Sequence, residues 1–195
     1  MEASPPKIKN SSMAPTLPDS EQRTMNSIEP SLFRSVMGRF ATGVTVVSYH
    51  REGLPAGMTA NAFLSVSLEP PLVLVSVRRN SQFTAHVRHG SRYGVNLLAE
   101  SQQDLSSHFG GRPVEGIPIP FVHSAGTPLI DGSLAHIVAR VVDIHAAGDH
   151  LLYIGEIEHL SHGTDASPLI FYGGNYRQVH THAKPAVQWQ STDGW

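Results

Sequence analysis

The chain contains no cysteine among its 195 residues. That absence removes disulfides, thiolate catalysis, iron–sulfur clusters and the common structural zinc sites, and it fits any redox compartment. Charge is scarce: Asp, Glu, Lys and Arg make up 15% of the chain, and their balance leaves a net charge of −2. Such a surface has no electrostatic grip on nucleic acid or on an anionic membrane, so neither is expected as a partner. No apolar run approaches the roughly 18 residues of a membrane-spanning helix. Residues 1–26 lack the basic start and apolar stretch of a secretory signal, so a cytoplasmic location is expected. Missing as well are G-x-G-x-x-G after a strand and G-x-x-x-x-G-K-[ST], which removes the Rossmann and P-loop readings, and G-x-S-x-G, whose absence weakens the hydrolase reading. There is no internal repeat.

What is present is apolar enough for one core, with hydrophobic residues at 40%. Residues 1–26 are rich in Pro and Ser without periodicity and are expected to be a disordered tail. Residues 183–195 read as a second tail, in which Trp189 and Trp195 could dock on a neighbouring surface. The domain between them, residues 27–182, begins with Ile28, Leu32, Phe33, Val36, Met37 and Phe40 at helical spacing, N-capped by Ser27 and ending before Gly43. Val44 to Tyr49 and Ala56 to Ser67 read as a hairpin turning at Arg51-Glu52-Gly53. Leu72 to Val77 is apolar on both faces and is expected at the centre of the core. A short helix capped by Asn80 or Ser81 runs to about His89, and Tyr93 to Leu98 is a strand. Ser101 to Asp104 has the pattern of a capping box opening a helix that Gly110-Gly111 ends. Arg112 to Pro128 reads as a loop. Leu134 to His145 and Leu151 to Leu160 are strands joined at Gly148-Asp149-His150, and short strands near Leu169–Tyr172 and Tyr176–Val179 close the domain. Seven or more strands with three short helices predict a mainly β fold, an antiparallel barrel with peripheral helices.

Three stretches carry chemistry. Gly57 to Asn61 puts free backbone N–H groups and two short polar side chains at a strand edge, a bed for a flat heteroaromatic or anionic ligand. Arg78-Arg79-Asn80-Ser81 joins the end of an apolar strand to a helix start, which offers guanidinium, hydroxyl and backbone N–H groups to a phosphate; read alone, it is equally a cap with two solvated arginines. Gly148-Asp149-His150 is ordinary turn chemistry carrying an imidazole. Of the twelve histidines, the closest pairs, His159/His162 and His180/His182, lack a third ligand in the pattern of a metal site, and no metal is expected.

Taken in order, Phe33-Arg34-Ser35, Phe40-Ala41-Thr42-Gly43-Val44-Thr45-Val46-Val47, Gly57-Met58-Thr59-Ala60-Asn61, Ser65 to Leu74, Tyr93 to Leu98, Pro128 to Ala135, Gly148-Asp149-His150 and Tyr172 to Tyr176 resemble the flavin reductase domain family. These are the short-chain NAD(P)H:flavin oxidoreductases that serve two-component monooxygenases. The resemblance covers about Ile28 to Val179. It implies a split antiparallel β-barrel of the FMN-binding type, a homodimer, and transfer of hydride from NADH or NADPH to FMN or FAD, with reduced flavin passed to a monooxygenase component. The implied flavin contacts are Thr59, Ala60, Asn61 and Ala62 at the ring and ribityl chain, with Ser65, Val66 and Ser67 nearby. Ser76, Val77, Arg78, Asn80 and Ser81 would hold ribityl and phosphate, and His108 and Phe109 would close over the flavin. Gly57, Met58 and His150 would border the nicotinamide. Where many relatives have Ser-Phe-Thr after the asparagine, this chain has Ala62-Phe63-Leu64, two hydroxyls fewer. Two neighbouring readings are a barrel flavoprotein that keeps its flavin and acts on a bound substrate, and a flavin-binding protein without activity.

Hydride transfer between two rings needs no strong acid or nucleophile. It needs the rings stacked at near-attack distance, on the order of 3–3.5 Å, with side reactions excluded. No obligatory catalytic residue is therefore expected, and the resemblance implies that His150 would orient the dinucleotide.

Overall fold

The computed structural model describes residues 28–179, so both tails, Ser27, the His180/His182 pair, Trp189 and Trp195 lie outside the described residues. Contacts divide the chain into two units between Met37 and Gly38. In the first, helix α1 spans Pro30–Met37, with proline in the first turn, where its missing N–H costs nothing. None of its side chains is buried, and Leu32, Phe33, Val36 and Met37 are all exposed. The helix stops short of Phe40, which the periodicity had included.

The second unit is a β structure built from one long antiparallel sheet. Its strands are β1 (Thr42–Gly43), β2 (Thr45–Arg51), β3 (Leu54–Ala60), β4 (Phe63–Leu68), β5 (Pro71–Arg78), β6 (Arg92–Leu97), β7 (Phe121–Ser124), β8 (Thr127–Ile130), β9 (Ala135–Ala147), β10 (His150–His162), β11 (Ile170–Tyr172) and β12 (Asn175–Arg177). Helices α2 (Gln82–His86) and α3 (Gln103–Phe109) interrupt them. The main sheet has the order β3-β2-β6-β9-β10-β5-β4, with β1-β11-β12 and β7-β8 as smaller sheets. No helix among the described residues is long and apolar enough to cross a membrane.

The segment expected as one strand from Ala56 to Ser67 is two strands, β3 and β4, and they form opposite edges of the main sheet. Only Asn61 and Ala62 lie between them. In a flat sheet six strand spacings would separate the edges by about 29 Å, whereas Ala60 to Phe63 reaches at most about 11 Å. The sheet has to curl until its edges approach. Ser76 N–H donates to the Ala62 carbonyl at 3.0 Å, and β3 comes to lie against β5, yet β3 and β4 do not pair. This is a split barrel, and its seam is the Asn61-Ala62 crossover.

Inside the barrel, Val47, Tyr49, Val73, Val75, Val77, Tyr93, Val95, Ala139 and Tyr153 form the core. Helix α2 plugs it with Phe83, whose ring meets Tyr49, Tyr93 and Tyr153 edge-on at 5.2, 5.9 and 5.0 Å. Outside the barrel a second cluster joins Val44 and Val46 to Leu98, Leu105, Ile130 and Leu169. Strand β2 is consequently buried on both faces. The expectation for Leu72 to Val77 fails here: on β5 only Val73, Val75 and Val77 are buried, because α3 and the β7–β8 hairpin cover β2 and leave the outer face of β5 open. Asn96 fastens that cover, donating to the Val46 carbonyl at 2.8 Å and accepting from Ile130 N–H at 2.7 Å.

The proposed capping box at Ser101 is replaced by a 3-10 turn over Glu100–Gln102, in which Gln102 reaches back to accept from Ala99 N–H at 3.1 Å. The stretch from Arg112 to Pro128 holds the β7–β8 hairpin, which its Pro and Gly content concealed. The turn at Gly148-Asp149 forms as expected: Gly148 has φ 59, the left-handed first position of a tight hairpin loop that glycine fills at least cost.

Candidate functional site

Strand register decides which sequence-predicted residues meet. Across β5 and β10, His150 pairs with Arg78, Leu151 with Val77 and Leu152 with Ser76. On the other side of β5, Phe63 pairs with Val75, and the Ser76–Ala62 hydrogen bond continues that ladder to the seam. Asn61, Ala62, Ser76, Arg78 and His150 therefore share one rim of the barrel. Arg79 N–H donates to the Asp149 carbonyl at 3.1 Å, and Ser81 N–H to the Arg78 carbonyl at 3.1 Å, so the connection from Arg78 to Ser81 is tied to the Gly148-Asp149 turn. Ser81 caps α2 by accepting from Thr84 N–H at 3.2 Å. Ser81 Oγ lies 3.5 Å from Thr84 Oγ1, too far for a strong bond, so its hydroxyl proton remains available to an anion. His150 Nδ1 sits 2.7 Å from Asp149 Oδ1, and hydrogen bonding to His150 holds the Asp149 carboxyl below its ordinary value.

Beside the seam, α3 lies on β3. The close approach is at Gly57: a Cβ there would stand 3.0 Å from the Phe109 ring and from Val46, so glycine is what lets the helix settle. Thr59 Oγ1 donates to the Ser106 carbonyl at 2.6 Å, and Ser106 Oγ lies 2.8 Å from the Tyr176 hydroxyl, which ties the β11–β12 hairpin to the same helix. These elements enclose a cleft of about 370 Å³ lined by Thr59, Asn61, Ser106, Arg112, Phe171 and Tyr176 among others. That volume is within the roughly 300–1,000 Å³ range of small-molecule sites. Apolar walls with hydroxyl, amide and guanidinium groups between them fit a flat heteroaromatic with a polar edge. A larger concavity of about 500 Å³ beside Glu100 and Gln178 shares Tyr176 and holds none of the predicted residues.

Not every predicted side chain faces this region. Val77 is buried in the barrel core, and Met58 and Ala60 pack against it, so these three positions offer a ligand only backbone. Ser65 pairs with Val73 on the barrel side, while Leu64 and Val66 are exposed on the outside. His108 turns to the following loop, its Nδ1 accepting from Val114 N–H at 3.2 Å. Ser106, Arg112, Phe171, Asn175 and Tyr176 line the cleft and were not anticipated. The paired glycines at 173 and 174 mark a turn, but no local pattern says which rim the turn will reach.

A family profile described as flavin reductase like domain matches residues 37–180. The chain belongs to the flavin reductase family. An NADH-dependent flavin reductase of a Rhodococcus species is 43% identical over 155 residues, 78% of this chain and 88% of that one. The reductase subunit HsaB of a flavin-dependent monooxygenase from Mycobacterium tuberculosis is 36% identical, covering 84% of this chain and 89% of its own length. Among solved structures, the flavin reductase PheA2 superposes with a TM-score of 0.75 at 41% identity, covering 79% of this chain and all of PheA2. That superposition shows that PheA2 shares the fold of this chain.

Proposed function

We propose that this flavin reductase family member oxidises NADH with a free flavin, FMN or FAD, and delivers the reduced flavin to a partner monooxygenase. The observation that carries the reading is the single rim on which the Thr59–Ala62 strand end, the Arg78–Ser81 connection and the Asp149-His150 turn converge, beside a cleft of ligand size. The relatives' activities, an NADH-dependent flavin reductase and a monooxygenase reductase subunit, support it. The bound pair supplies the chemistry: a hydride leaves C4 of the dihydronicotinamide, which becomes a pyridinium, and adds at flavin N5.

The residues of this chain bind and orient. The strand edge from Thr59 to Ala62 bears the ring, and its backbone N–H groups favour negative charge near N1. Ser76 and Arg78 line the way from the ring to Arg79, Asn80 and Ser81, where a phosphate finds two guanidinium groups and a hydroxyl proton. Phe109, packed on Gly57, keeps water from the inner end of the bed. His150, held by Asp149, orients the dinucleotide from the far side of the rim. Replacing both Arg78 and Ser81 by alanine weakens FMN more than riboflavin; equal losses place the phosphate elsewhere. His150→Ala raises the KM for NADH with a smaller effect on flavin, and an unchanged KM removes His150 from the site.

The active unit in this reading is a homodimer. Leu64 on β4, Leu74 on β5 and Ile154 on β10 stand in one cross-strand row on the outer face, with Leu64 51% exposed, and a second copy covers it. The setting is the cytoplasm, where reduced nicotinamide is supplied. Steady-state oxidation of NADH and NADPH with FMN and with FAD tests the activity. Flavin that survives gel filtration on the protein and turns over only with a third substrate favours a tightly held flavoprotein, and flavin binding without anaerobic reduction by NADH denies an enzyme.

A further inference from the structure

We infer that the cleft beside α3 reads the pyrimidine edge of the flavin ring, with Thr59 Oγ1 accepting the ring N3–H and Arg112 donating to the adjacent C2 carbonyl. The inference rests on the flavin reading above and goes further by fixing which ring edge enters the cleft.

A threonine hydroxyl has one proton to give. Thr59 gives it to the Ser106 carbonyl at 2.6 Å, and that carbonyl also accepts from Gly110 N–H at 2.9 Å. Ser106 cannot turn away, because it is buried within α3 and its own hydroxyl is engaged by Tyr176 at 2.8 Å. Thr59 therefore presents only lone pairs to the cleft and selects a ligand atom that carries hydrogen.

Arg112 has the opposite character, donating and never accepting. Its backbone N–H is tied to the Ser107 carbonyl at 3.0 Å, which keeps it at the end of α3 and on the cleft wall. Among the described residues it forms no ion pair, and no carboxylate lines the cleft. Asn61 on the same wall can turn a donor or an acceptor inward, while Asn175 is held by donating to the Gly173 carbonyl at 3.0 Å. The ligand edge that complements this set is a donor flanked by two acceptors. The flavin pyrimidine offers it as C4=O, N3–H and C2=O. A nicotinamide carboxamide has its acceptor on one side only, and ribityl hydroxyls, being both donors and acceptors, would not need so fixed a threonine. The placement also runs continuously into the rim, since Asn61 and Ala62 lead from the cleft to Ser76 and Arg78.

The test compares riboflavin with 3-methylriboflavin, neither of which carries phosphate, by quenching of flavin fluorescence. The wild-type protein is expected to bind riboflavin at least tenfold more tightly, a difference of the size expected when a buried acceptor loses its partner. Thr59→Ser retains that preference, whereas Thr59→Val weakens riboflavin and binds both flavins within about twofold. Arg112→Ala weakens both by about tenfold, and Arg112→Lys restores part of the loss. Equal wild-type affinities, preserved discrimination in Thr59→Val, or unchanged affinity in Arg112→Ala overturns the assignment and leaves the flavin reading standing. Failure of both riboflavin and FMN to bind the wild-type protein overturns both.

Discussion

Phe83 shows how much one side chain can decide. Helix α2 is only five residues long, too short to persist by propensity, and it stays in place because Phe83 is fully buried among three tyrosines. Phe83→Ala should cost about 3–5 kcal/mol in chemical denaturation, and the Arg78–Ser81 connection should lose protection from hydrogen exchange with it. Tyr93 is the converse case: its hydroxyl is buried without a partner, so Tyr93→Phe should leave the melting temperature unchanged or raise it. Burial also pushes the phenols of Tyr49, Tyr93 and Tyr153 above their ordinary value. An acid whose folded pKa is raised supports the fold below its unfolded pKa and ceases to do so as pH climbs. The melting temperature should fall above about pH 10, less steeply in Tyr93→Phe. Glu158 has the opposite sign. Hydrogen bonding to Arg92, with Arg140 also bound, holds it below the ordinary range, so its contribution is present at neutral pH and fades as pH drops below about 4. Glu158→Gln should be less stable than wild type at pH 7 and nearly equal to it at pH 3. Ser81 as a cap was legible because capping is local. The direction of the Thr59 proton was not, because Ser106 reaches it only through the fold.

At the scale of elements, the β9–β10 hairpin and the Ser81-capped helix were readable because turn and cap chemistry lie within a few residues. The division of Ala56–Ser67 was not, since nothing local distinguishes a long strand from two strands crossing a seam. The expected burial of β5 on both faces failed for a related reason: which strand is covered depends on where α3 and the β7–β8 hairpin settle. The packing of α3 on β3 turns on Gly57. Gly57→Val should push Phe109 and its helix outward, cost about 1–3 kcal/mol by overpacking, and weaken flavin more than the milder Gly57→Ala. A valine variant with unchanged stability and flavin affinity would mean that α3 does not hold the ring bed.

For the whole molecule, the split barrel follows from connectivity: two consecutive strands at opposite edges of a seven-stranded sheet, joined by two residues, leave no flat solution. The same crossover gathers the Thr59–Ala62 strand end, the Arg78–Ser81 connection and the Asp149-His150 turn onto one rim, so the fold and the candidate site have one origin. The outer row of Leu64, Leu74 and Ile154 should place the protein as a dimer in sedimentation, and Leu64→Glu should shift it toward monomer; a wild-type monomer at micromolar concentration would contradict the proposed dimer. The central claim, that this rim brings a nicotinamide and a free flavin together, is tested most directly by NADH oxidation with purified, flavin-stripped protein. The account predicts no oxidation without added flavin and saturable oxidation with FMN or FAD. NADH oxidation that stays at the rate of free flavin alone would contradict it.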